Sequence, residues 1–165
     1  MAILTYSGRT FLAQSLLTHP IYLAIGKGKS SWETSPETPE YEDTELLNVV
    51  GYKKLTRSLF VNEDAHGEIR MPVKRFYSVS ETPTREVYLE FQFEYDDVEE
   101  LADVDIWEVG VFADTVPVSG LPSTQTYFTP SQIANKGMLI TLEHLDKADS
   151  FTPSRAGLYK TVLTI

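Results

Sequence analysis

The sequence contains no cysteine. Disulfide staples, thiol nucleophiles and thiolate metal sites are therefore excluded together. Other things are missing as well. No apolar run approaches the length that spans a bilayer. The opening stretch MAILTYSGRTFLAQSLLTHP has no basic start, no long apolar segment and no A-x-A site, so no signal peptide is expected. Positive charge is scarce: 14 Lys and Arg face 24 Asp and Glu, a net charge of −10 with histidine neutral. That balance disfavours generic attraction to nucleic acid or anionic lipid, so neither nucleic-acid binding nor membrane insertion is expected. What remains is a chain of 165 residues, one domain by length, able to bury roughly 70% of its extended surface without staples.

Catalytic patterns are missing too. His19, His66 and His144 lie far apart, and none forms the H-x-x-x-H spacing that sets two imidazoles on one helical face. No G-x-S-x-G elbow exposes a serine. DDVEELADVD is rich in carboxylates but lacks the D-x-[DN]-x-[DN]-G loop that wraps calcium, and reads as a solvated acidic turn. No spacing singles out a carboxylate pair for glycoside hydrolysis. The segment AIGKGKSS ends like a phosphate loop, but Leu23 stands where the first glycine of G-x-x-x-x-G-K-[ST] belongs. The helix that should follow is replaced by SWETSPETPEYEDTE, with Pro36, Pro39 and an acidic run. A strand opening into a loop, with Gly26 and Gly28 at the corner, fits better. No enzyme, metal or cofactor is expected.

The elements that are present suggest mostly strands. LTYSGRTFLAQSLLTHP reads as a helix capped by Thr5 or Ser7, with Gly8, Phe11, Leu12, Ser15 and Leu16 near helical spacing, stopped at His19-Pro20. Tyr22 to Ile25 reads as a short buried strand. ELLNVV is ambiguous between a helical turn and a strand ended by Gly51, and YKKLTRSLFV reads as one strand before a turn at NEDAHGE. Ile69 to Val79 reads as one or two short strands broken at Pro72. In VYLEFQFEY, Val87, Leu89, Phe91, Phe93 and Tyr95 alternate with Tyr88, Glu90, Gln92 and Glu94, giving one apolar and one wet face. IWEVGVFA is a strand with Trp107, Val109 and Val111 on one face. TPVSGLPSTQ reads as a loop, and TPSQIA as a helical turn with Pro130 in first position. GMLITLEHL and GLYKTVLTI are the last strands. Strands follow one another without helical crossovers, so the expected fold is mainly β (α+β): an antiparallel sandwich-like single domain, 1–165, with one packed N-terminal helix.

The long segment Gly26 to Thr44 is polar, acidic and proline-bearing, and loops of this length usually bind something or stay mobile. It carries Trp32 and Tyr41, aromatic types enriched at interface centres. Acidic residues gather in Glu33 to Glu45 and Glu94 to Asp105. Between them lies a basic group of Lys53, Lys54, Arg57, Arg70, Lys74 and Arg75, able to complement such a loop on a neighbouring subunit. These eight aromatic and basic residues are the candidate interface.

Taken in order, LTYSGR opening a helix, PIYLAIGKG, ELLNVVGYKK, IWEVGVF and a final R…YKTVLTI resemble tail-fibre-attachment proteins of contractile-tailed bacteriophages. The start is similar to the LTNAG-R of the tail-collar fibre family, followed by a strand ending in A-x-G-x-G. The middle is similar to (R/W)-E-(I/V)-G-(L/V)-F, here Trp107 to Phe112, with Trp107 for the more usual arginine. QTYFTPSQI is similar to a stretch of short tail proteins. The resemblance implies conformational glycines at Gly26 and Gly28. It also implies a virion structural protein located in the tail and assembled in the bacterial cytoplasm. No shaft, repeat or receptor-binding tip is present, so the expectation is a short baseplate or tail-fibre adaptor. Its expected partners are baseplate wedge and fibre proteins, with further copies of itself as a homo-oligomer. The alternative is a small carbohydrate-binding β-sandwich using loop aromatics such as Trp32, Tyr41 and Tyr127, and an uncharacterised hydrolase is a third. Titration calorimetry with ATP and magnesium is expected to give no saturable heat. Micromolar binding lost in Lys29→Ala would restore the phosphate-loop reading.

Overall fold

The computed structural model describes residues 1–32, 36–101, 104–146 and 157–165. Part of the acidic run, residues 33–35, lies outside the described residues. Along the chain the elements are α1 (Tyr6–Leu16), β1 (Ile21–Gly26), β2 (Val49–Lys54), β3 (Arg57–Glu63), β4 (Ile69–Met71), β5 (Arg75–Val79) and β6 (Glu86–Gln92). There follow α2 (Tyr95–Glu100), β7 (Glu108–Ala113), β8 (Val116–Pro117), β9 (Tyr127–Phe128), β10 (Ile133–Asn135), β11 (Met138–His144) and β12 (Leu158–Thr164). Every pairing with a defined register is antiparallel. The fold is mainly antiparallel β with one main helix.

The chain divides into two compact units. One comprises Met1–His19, Thr56–Phe91 and Tyr159–Ile165, and contains a five-stranded sheet in the order β12-β6-β3-β5-β4. Val61, Tyr77 and Tyr88 form a buried cluster there, with Leu59, Ile69, Met71 and Val162 against it. Thr5 caps α1 by accepting the Gly8 N–H. Of the α1 residues only Ala13 is fully buried, whereas Phe11 and Leu12 are exposed. The apolar face anticipated from Gly8, Phe11 and Leu12 thus points outward. Half-buried Leu16 and Leu17 accompany Ala13 instead.

The other unit comprises Pro20–Leu55 and Gln92–Leu158. Its sheet runs β11-β7-β1-β2-β9, with β10 and β8 as a separate pair. β1 and β7, two of the three inner strands, are buried at every residue. On one face Tyr22, Ala24, Tyr52, Phe112 and Phe128 pack with Leu46.

Several local readings need correction. Gly51 does not end a strand but pairs with Ile25 inside β2. YKKLTRSLFV is two strands, since the chain breaks after Lys54 and β3 joins a different sheet. YKKLTRSLFV contains no glycine or proline to mark such a switch. Tyr95 does not extend β6; it opens α2 and is exposed, while Tyr88 on the supposedly wet face is buried. Tyr88 keeps its hydroxyl satisfied by donating to Glu90 at 2.5 Å. Burial first, then this bond, raises its pKa. Trp107 is only half-buried, and Val116–Pro117 adds a short strand where a loop was read. The helical turn at Pro130–Gln132 forms as expected, closed by a reciprocal Thr129–Gln132 capping box.

Phe91 has no exposed surface. Phe91→Ala is expected to cost about 3–5 kcal/mol in reversible urea unfolding, transfer and cavity terms together. A loss below about 1 kcal/mol would contradict the burial assigned to this face.

Candidate functional site: an acidic excursion held by a buried carboxylate

Between β1 and β2 the chain leaves the sheet near Gly26 and returns at Asn48. Both limbs of this excursion converge on Glu108, which is fully buried at the start of β7. One carboxylate oxygen, Oε1, accepts the Gly28 N–H at 3.1 Å and the Asn48 N–H at 2.9 Å; Oε2 accepts the Leu47 N–H at 3.0 Å. Two further bonds close the base directly. Lys27 N–H donates to the Asn48 carbonyl, and Asn48 Nδ2 donates to the Gly28 carbonyl at 2.6 Å. A charge in an apolar interior is tolerated only when donors replace its lost water, and here the backbone of the two limbs supplies them.

The neighbouring residues are shaped to this contact. Gly26 pairs with Glu108 across β1 and β7, and a β-carbon at 26 would collide with that carboxylate. Gly28 adopts φ +63°, the left-handed region that glycine enters at least cost. Of the two glycines implied by the resemblance, then, Gly28 serves conformation and Gly26 serves space. Leu46 fills the room above Gly110, which explains a glycine in the middle of a buried strand. The Gly28 amide, which a phosphate loop would aim at its ligand, is instead turned onto Glu108.

Beyond the base, the outgoing limb folds over the sheet. Trp32 is buried, lies over Gly28 and meets the His144 ring at 4.6 Å between centroids. His144 Nδ1 donates to the Glu37 carbonyl at 2.6 Å, and the Glu37 carboxylate pairs with Lys29. On the returning limb Glu45 pairs with Lys136, and that hydrogen bond, then the charge, holds the Glu45 carboxyl below its usual range. A lowered carboxyl pKa means that this contact contributes above the ordinary carboxyl range and is lost as pH falls through the folded pKa. Glu37, Glu40, Asp43 and Glu45, with Leu142 and His144 of β11, line a cleft of about 580 Å³. Among the described residues no three His, Cys, Asp or Glu are disposed to hold a metal ion.

The sequence candidates are distributed unequally. Tyr41 is fully exposed at the excursion's tip. Trp32 is enclosed by its own chain. Lys53, at 1% exposure, pairs with Asp97 of α2, donates to Thr126 Oγ1 at 2.7 Å and lies 5.7 Å from the Phe93 ring centroid. Lys54, Arg57, Arg70, Lys74 and Arg75 are exposed, Lys54 in the same unit as the excursion and the four others in the unit that contains α1. Of the aromatics considered for a sugar platform, Trp32 and Tyr127 are buried.

Sequence reasoning missed Glu108, Asn48, Asp97 and Lys136. The signal for Glu108 was present: a carboxylate flanked by Trp107 and Val109 in an otherwise apolar strand requires internal donors.

A family model described as baseplate wedge 3 tail fiber network component matches residues 1–165. The chain belongs to that family. This makes it a phage tail structural protein, a component of the baseplate and tail-fibre network of the virion. No curated protein matches the chain.

Glu108→Gln keeps one oxygen for Gly28 and Asn48 but turns an amide toward the Leu47 N–H, so it is expected to cost about 1–3 kcal/mol. Glu108→Ala strands all three donors and is expected to cost about 3–5 kcal/mol. Urea unfolding of both variants measures the difference. Equal, small losses would mean that water satisfies the base of the excursion.

Proposed function

We propose that this baseplate component is a short adaptor subunit that joins a tail fibre to the baseplate by non-covalent assembly, as a homo-oligomer within the particle. Assembly takes place in the host cytoplasm. One observation carries the reading: the acidic excursion is anchored at its base by a buried carboxylate while its tip presents a fully exposed Tyr41. A segment already held in shape loses less entropy on docking than a free one. Tyrosine supplies large contact area with few torsions to freeze, and the surrounding Glu40, Glu42 and Asp43 favour a basic partner surface. The exposed Lys54, Arg57, Arg70, Lys74 and Arg75 are candidates for such a surface on neighbouring subunits. Trp32 and Lys53 support these contacts from inside the chain, by packing under the excursion and by neutralising Asp97.

The test uses particles assembled with variant protein. Tyr41→Ala is expected to leave the unfolding midpoint unchanged while lowering incorporation into tails at least tenfold. A glutamyl-specific protease is expected to cut between Glu37 and Glu45 in the isolated protein and to be blocked in assembled tails. Normal incorporation of Tyr41→Ala, with equal cutting in both states, would overturn the proposal.

A further inference from the structure

We propose that β11 is the edge to which a partner adds a strand, an extended protein segment carrying lysine or arginine toward the excursion. The proposal rests on the reading above that the excursion docks a partner, and it adds where that partner lies and in what conformation.

Among the described residues β11 ends its five-stranded sheet, with β7 on one side and no strand on the other. Leu145 N–H donates to the Trp107 carbonyl, which fixes the phase of the ladder. Residues of an antiparallel pair alternate between bonding toward the neighbour and away from it. Glu143 therefore bonds to Val109, while Leu142 and His144 turn their amides and carbonyls away from β7. A register shift between Leu139 and Thr141 interrupts the ladder upstream, leaving 141–144 as the regular run. Edge strands are ordinarily blunted by shortness, lysine, proline or a bulge. The other sheet ends follow this rule: β4 has three residues with Arg70 at its centre, β9 has two, and β12 carries Lys160. β11 has seven residues, MLITLEH, without lysine, arginine or proline. Its bulge guards only the upstream half.

Outward amides and carbonyls select the occupant, because an extended main chain is what pairs with them. The excursion selects its charge. Pro39, Glu40, Tyr41 and Asp43 face residues 139–142 of β11 across a groove of about 440 Å³. This groove shares Glu40, Asp43 and Leu142 with the larger acidic cleft. Glu37 and Glu45 already have lysine partners, whereas Glu40 and Asp43 form no ion pair among the described residues. An added strand places every second side chain on the sheet face of Leu142. A long cationic side chain there lays its methylenes against leucine and its charge against Glu40 and Asp43.

Fluorescence anisotropy of a short labelled peptide of alternating lysine and valine, added to the purified full chain, tests this. Saturable binding is expected, and none by the matching glutamate–valine peptide. In an extended peptide the lysine amides face one edge and the valine amides the other. N-methylation of one set is expected to weaken binding at least tenfold, and of the other set less than threefold. Glu40→Lys with Asp43→Asn, which keeps an acceptor for the amide of residue 40, is expected to weaken it at least tenfold. Leu142→Pro removes one outward amide and no bond to β7. It is expected to bind at least tenfold more weakly than Leu142→Ala, which loses the side chain alone. If Leu142→Pro does not fold, the methylated peptides decide. No saturable binding, equal binding of the glutamate peptide, or equal effects of the two methylation patterns would overturn the proposal. Failure of Tyr41→Ala to enter tails, with methylation indifferent, would remove this inference and leave the adaptor reading. Normal entry of Tyr41→Ala, with selective methylation, would remove the adaptor reading and leave the edge.

Discussion

A carboxylate inside an otherwise apolar strand has to find its donors within the protein, and Glu108 finds them in the two limbs of a single loop. Because a strand's side-chain period is two, a one-residue slip between β1 and β7 would carry Glu108 to the opposite face and leave three amides and a charge unpaired. The carboxylate thus helps specify the register that sets Gly26 beside Glu108, Ala24 beside Gly110 and Tyr22 beside Phe112. It also joins the ends of a long excursion. The closure entropy of such a loop grows only slowly with length, so one well-satisfied buried contact at its base can tolerate a variable tip.

The ion pairs of the second unit differ in what they can contribute. Lys29–Glu37 and Lys136–Glu45 join side chains that remain substantially exposed, and pairs of this kind contribute little because water competes and long side chains must be ordered. Lys53–Asp97 is enclosed, so removing either partner would strand a charge; the pair fixes the start of α2 to β2 more by that penalty than by net stabilisation. Buried polar contacts therefore constrain where the excursion begins and where α2 docks. The exposed pairs trim the path between.

The strand-rich character of the chain was legible because the strongest patterns are local. Alternation from Val87 to Phe93, the capped helix from Thr5 and the Pro130 turn all depend on neighbours a few residues away. The sheet switch after Lys54 was not legible, since nothing in LTRSLF distinguishes one continuous strand from two. The burial of Lys53 was hidden for a related reason: its partner lies 44 positions away in an acidic run that reads as solvated. At the candidate site, Tyr41 was correctly seen to lie on an acidic loop, but Trp32 drew attention as a surface aromatic when its own chain covers it. The outward turn of α1 was equally invisible. Helical spacing defines a stripe and does not say which side of it the rest of the chain will cover.

Burial also determines how the parts respond to their surroundings. Charges at the excursion's tip stand in solvent, where physiological salt screens them beyond about 8 Å. Glu108 has no exposed surface, and its partners are backbone amides at hydrogen-bond distance. Added salt consequently weakens attraction between the tip and a basic surface while leaving the base of the excursion intact. Charge and shape are thereby separated in one loop: in the proposed adaptor role the exposed carboxylates would set how readily a partner is found, and the buried one the form in which the loop is presented to it.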